Sequence, residues 1–101
     1  MTDPSPPITR LLYRVWRPVD EPRRDDAILQ MRSMSAMADY HFRVNAERLG
    51  VNLGTLNTRI ERPEGKPGEF RFMIEAPAPE ETLSLALNEA VQLIGLRAER
   101  I

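Results

Sequence analysis

There is no cysteine in the chain. That excludes disulfides and thiolate-held metals, and with them the small secreted folds that depend on such staples. Histidine occurs once, as His41, so no histidine pair exists to hold zinc. No apolar run approaches the roughly 20 residues that a membrane-spanning helix needs. Positive charge is not in excess either: 14 basic residues face 15 acidic ones, for a formal net charge of −1. A nucleic-acid binder draws most of its affinity from phosphate contacts and normally shows a basic excess. Nucleic acid is therefore not an expected partner, and neither is a membrane. Met1 to Pro7 is polar and proline-rich, without the basic and apolar regions of a signal peptide. A cytoplasmic protein is the expectation. Lys66 is the only lysine among those 14 basic residues, an arginine bias that suits a bacterial or phage source.

What is present fits one globular domain. Apolar residues make up 42% and charged residues 29%, a balance that supports a core rather than disorder. At 101 residues the chain is long enough for one core and too short for two. Residues 1–7 read as a frayed tail and 8–101 as the domain. Residues 8–17 alternate: Thr9, Leu11, Tyr13 and Val15 share one face, and Arg10, Leu12, Arg14 and Trp16 the other. This is the pattern of a half-buried strand, ended by Pro18. Asp20, Pro22 and Asp25 then suit the start of a helix.

Residues 26–49 form that helix, with Ile28, Met31, Ser35, Ala38, Phe42 and Leu49 on one stripe and a polar gap at Asn45. Its length, twice the common one, allows a break near Asp39. Gly50 takes the position after the helix end. Residues 51–62 and 69–76 read as a hairpin, joined by the turn-rich Pro63-Glu64-Gly65-Lys66-Pro67-Gly68. A second helix follows Pro79, with Leu83, Leu87, Ala90, Val91 and Ile94 as its apolar stripe and Gly95 as its stop. Leu96 to Ile101 is a short closing strand. The order β-α-β-β-α-β predicts an α+β fold, a ferredoxin-like sandwich with an antiparallel sheet and two helices on one face.

Two stretches carry a family resemblance. Gly50-Val51-Asn52-Leu53, the strand to Ile60, and Gly68-Glu69-Phe70-Arg71-Phe72-Met73-Ile74 resemble the middle of an ACT domain, most closely the one attached to prephenate dehydratases. Asp20-Glu21-Pro22-Arg23 resembles that family's Asp-x-Pro-Gly turn. The resemblance covers residues 50–101, and residues 8–30 more loosely. It implies regulatory binding of an amino-acid-like ligand between two copies. Asp20, Pro22 and Arg23 of one copy would face Val51, Asn52 and Leu53 of the other. Two features depart from the pattern. Arg23 stands where the family has glycine, and its side chain obstructs the usual approach of ligand to backbone. The first helix is also about a dozen residues longer.

Other motifs carry less. Residues 46–62, with Gly50 at the turn, resemble a helix-turn-helix, but Gly54, Asn57-Thr58 and Pro63 weaken the second helix. His41 lacks a partner that would make it a general base. A catalytic alternative, a ferredoxin-like monooxygenase or isomerase, needs a pocket lined by Tyr13, Trp16 and Tyr40. Met31, Met34 and Met37 read as packing residues. Glu80 and Glu81 complement a helix dipole, since adjacent helical residues point apart. Gly65 and Gly68 form no phosphate loop, because no helix follows them. Arg23-Arg24-Asp25-Asp26 is the place where a carboxylate ligand would meet arginine and a helix start together.

The expectation is a non-catalytic, ACT-like regulatory domain without cofactor or metal, binding a small ligand through Asp20, Pro22, Arg23, Arg24, Val51, Asn52 and Leu53. A protein-protein adaptor of the same fold is one alternative, and a helix-turn-helix DNA-binding protein using residues 46–62 is the other. A homodimer is expected through Leu12 and Trp16, because both faces of the first strand carry large apolar side chains.

Overall fold

Alternation of apolar residues places four strands in one antiparallel sheet. The computed structural model describes residues 7–18, 24–66 and 68–101, with side chains in the first helix from residue 32 onward. The strands are β1 (Thr9–Trp16), β2 (Asn57–Glu61), β3 (Glu69–Ala76) and β4 (Arg97–Arg100), in spatial order β2-β3-β1-β4. The helices are α1 (Arg24–Arg48) and α2 (Glu80–Leu93). Every neighbouring strand pair is antiparallel. Each helix thus connects two strands that run the same way with one strand between them. Right-handed connections of this kind bring both helices to one face, which makes the ferredoxin-like sandwich.

β1 and β3 pair over eight residues, from Thr9 opposite Ala76 to Trp16 opposite Glu69. Leu11, Tyr13 and Val15 of β1 and Phe70, Phe72 and Ile74 of β3 point under the helices and are buried. Ser35, Ala38, Phe42 and Ala46 of α1 come down onto them, and the Phe42 ring meets Phe72 edge-on at 5.4 Å. Leu83, Ala86, Leu87, Ala90 and Val91 of α2 complete the core. The small residues Ala38, Ala86 and Ala90 let both helices lie close to their neighbours. Polar side chains stitch the layers together. Asn45 donates to the Ala86 carbonyl at 3.1 Å, which fills the polar gap in the α1 stripe. Asp39 accepts from Thr58 at 2.8 Å and from Arg43 at 3.2 Å, and Arg43 also donates to Thr58 at 2.6 Å. That triangle ties α1 to the edge strand β2.

Both helices end in the same way. Beyond α1, Gly50 adopts φ +94°, and the N–H groups of Gly50 and Val51 donate to the carbonyls of Glu47 and Ala46. Beyond α2, Gly95 adopts φ +76°, and Gly95 and Leu96 donate to Gln92 and Val91. These are Schellman caps, in which the residue after glycine turns back against the last helical turn. Here those residues, Val51 and Leu96, are both buried.

Several expectations are revised. α1 is unbroken at Asp39, which is held by Arg43 and Thr58. Its described stripe is as expected at Ser35, Ala38 and Phe42. Leu49, however, falls past the last helical turn and is exposed. β2 begins at Asn57, not at residue 51, because Asn52 captures the chain first. Its side-chain oxygen accepts from the Gly54 N–H at 2.9 Å, and its carbonyl accepts from both the N–H and the hydroxyl of Thr55. The result is a short 3₁₀ turn, Leu53–Thr55. A helix-turn-helix over 46–62 is overturned, because its second helix is replaced by this turn and β2.

Gly50→Ala is expected to lower stability by about 1–2 kcal/mol in urea unfolding. An added methyl there meets no neighbour, so the cost is the left-handed backbone alone. Phe42→Ala removes the ring that joins α1 to β3, and a loss of about 3–5 kcal/mol is expected by the same measurement.

Candidate functional site

Of the residues suggested by the family resemblance, Asp20, Pro22 and Arg23 lie outside the described residues. Arg24 opens α1. Val51 belongs to the core, and Leu53 is half-buried against it. Asn52 is exposed, but its side-chain oxygen is used in holding the 3₁₀ turn. Its amide nitrogen has no partner among the described residues. The bend from Gly50 to Leu53 therefore offers a ligand one polar side chain, already half committed. Tyr13, Trp16 and Tyr40 do not meet. Tyr13 is buried under α2, where its hydroxyl bonds Ser84. Trp16 lies on the opposite face of the sheet, and Tyr40 is 64% exposed on α1.

The other candidate surface is the sheet face that neither described helix covers. Cross-strand partners share a face, so the strand register sorts its side chains into rows. One row is Glu69, Trp16 and Arg97, across β3, β1 and β4. The next is Glu61, Arg71, Arg14 and Glu99, across all four strands. The third is Arg59, Met73 and Leu12, extended by Ile101, whose N–H donates to the Leu12 carbonyl at 2.9 Å. The fourth includes Asn57, Glu75 and Arg10. Leu12, Trp16 and Met73 are half-buried and Ile101 is exposed. Leu12 and Trp16 thus occupy the face expected of them.

Charges on this face are partly paired. Arg10 stands 3.8 Å from Glu75, and Arg59 stands 3.3 Å from Glu61. Arg14 donates to Glu69, and its guanidinium lies 4.5 Å from the centre of the Trp16 ring. The tryptophan presents its negative π-face to that cation. Glu69 is 6% exposed, and its second oxygen has no hydrogen-bond donor, the Lys66 ammonium lying 3.8 Å away. The Nε of Arg71 is likewise buried without an acceptor. Buried polar atoms normally have partners, so these two stand out. The sequence reading passed over both residues. Their alternation with Phe70 and Phe72 marks a strand face, but nothing local separates them from ordinary solvated charges.

Where β4 stops, a cavity of about 220 Å³ opens between Arg10, Leu12, Met73, Glu75, Arg100 and Ile101. It is apolar at its floor and flanked by one acid and two bases. On the helix layer, Met37, Tyr40 and Val44 form an exposed apolar stripe along the outer side of α1. His41 is half-buried, with its ring edge-on to Tyr40 at 5.3 Å. Among the described residues no group of three acidic or imidazole side chains is placed to hold a metal. No helix among them is long and apolar enough to cross a membrane. No family model matches the chain, and neither a curated protein nor a solved structure matches it.

Proposed function

We propose that the chain is a non-catalytic, ACT-like regulatory domain that works as a homodimer and binds a small, amino-acid-like ligand at the seam between copies. The observation that carries this reading is the uncovered sheet face. Leu12, Trp16, Met73 and Ile101 lie on β1, on β3 and just past the end of β4, with neither described helix over them. A monomeric sheet rarely leaves a tryptophan and several aliphatic side chains on its solvent side. Ligand contacts are assigned to Asp20, Pro22, Arg23 and Arg24 of one copy and to the bend Val51, Asn52 and Leu53 of the other, where Asn52 supplies the polar group. The separation of Tyr13, Trp16 and Tyr40 argues against the aromatic pocket of an enzyme.

The exposed stripe of Met37, Tyr40 and Val44 favours a second reading, an adaptor that docks on a larger protein. Ligand response separates the two. A ligand present at about 100 times its Kd adds about 2.7 kcal/mol of stability. For a domain of this size that raises Tm by about 10 °C or more. Screening amino acids by thermal shift is expected to give such a rise. An adaptor shows none and is captured by its protein partner instead.

Light scattering after gel filtration at micromolar concentration is expected to give twice the 11.6 kDa chain mass. Trp16→Arg should return the protein to that single mass with its circular dichroism spectrum unchanged. A wild-type monomer sinks the homodimer. An unfolded variant would assign Trp16 to the core.

A further inference from the structure

The first two rows of the open face are complementary to each other, strand by strand. On β3, Glu69 is followed two residues later by Arg71. On β1, Trp16 is preceded two residues earlier by Arg14. On β4, Arg97 is followed two residues later by Glu99. Each strand thus carries two groups that attract one another, side by side on one face.

Within the chain Arg14 already stacks on Trp16 and donates to Glu69, while the other groups are less engaged. Arg71, Arg97 and Glu99 make no side-chain hydrogen bond or ion pair with any described residue. In its row Arg71 stands between Glu61 and Arg14, and Arg14 stands between Arg71 and Glu99.

We propose that a second copy of this chain covers the open face in a register set by these charges, with Arg97 against the partner's Glu99 and Arg71 toward the partner's first row. This rests on the homodimer reading and adds its geometry. The two-fold axis lies in the interface, parallel to the rows and midway between the first and second. It lays each strand on its own equivalent and exchanges the two rows, so that the third row, with Leu12, Met73 and Ile101, faces the chain just past the partner's first row, at Pro18 beyond β1. Arg14 then faces the partner's Trp16 ring, and every contact occurs twice, as an isologous interface requires. Two sheets packed this way keep their strands within about 30° and stand about 10 Å apart, a gap that interdigitating arginine and glutamate side chains fill. The first and third rows do not make such an arrangement. A dyad running along the strands between β1 and β3 would set Arg71 over the partner's Arg14 and Glu61 over the partner's Glu99.

The test uses β4, whose Arg97 and Glu99 are exposed and make no side-chain hydrogen bond or ion pair with a described residue. Glu99→Arg places arginine against arginine twice, and Arg97→Glu places glutamate against glutamate twice. Each variant is expected to raise the dimer Kd at least tenfold in sedimentation equilibrium, with the monomer still folded by circular dichroism. The double variant Arg97→Glu, Glu99→Arg restores the pairing and is expected to recover the wild-type Kd. An equimolar mixture of the two single variants is expected to form heterodimers, because each then meets its opposite. Arg71→Glu, on the central strand, should dissociate the dimer as well. A dimeric wild type whose single variants remain equally dimeric overturns this register and leaves the homodimer standing. A monomeric wild type overturns both and gives the face to another occupant.

Discussion

The handedness of two chain crossings governs the rest of this molecule. β1 and β3 form the centre of the sheet, and each chain path out of them returns through a helix to a strand two places away. Right-twisted strands allow those paths only one side. Both helices are therefore committed to the same face, and the whole apolar complement of that face is spent on them. Phe70, Phe72, Ile74, Leu11 and Val15 are buried as a consequence. Neither described helix covers the opposite face.

That asymmetry explains why the two faces are built by different physics. Under the helices, close packing dominates, and polar groups occur where they close a gap, as Asn45 does at Ala86. On the open face, arginines and glutamates alternate around Leu12, Trp16 and Met73. Arginine suits such a surface because its planar head can stack on an aromatic ring and donate to a carboxylate at once. Arg14 does both, with Trp16 and Glu69. The face is neither an ordinary solvated surface nor a dry core. Its chemistry mixes half-buried apolar side chains with charges that are only partly paired.

The helix ends show how local geometry is reinforced by packing. Gly50 and Gly95 turn the chain sharply, and the residues after them, Val51 and Leu96, fall straight into the core. The turn positions the hydrophobic residue, and its burial holds the turn. In the same way Asn52 anchors the 3₁₀ turn that aims the chain into β2. This is why the segment that resembles a ligand-binding bend is so largely occupied with structural work.

Most of the architecture was legible in the order of residues. Alternation revealed β1 and β3, and 3–4 residue spacing revealed the buried sides of α1 and α2. Glycine and proline marked the boundaries between them. These signals are readable because burial on a strand or helix repeats with the element's own period. Two kinds of feature were not. The start of β2 depended on a hydrogen bond from Gly54 to the Asn52 side chain, which outcompeted strand pairing over residues 51–56. The burial of Glu69 depended on Arg14 and Trp16, more than fifty positions earlier in the chain. The sequence by itself determined the elements, their order and the inward-facing side chains. Only the tertiary structure decided which charges share the open face and in what rows, because strand register is a contact between distant segments and leaves no trace in the neighbours of either.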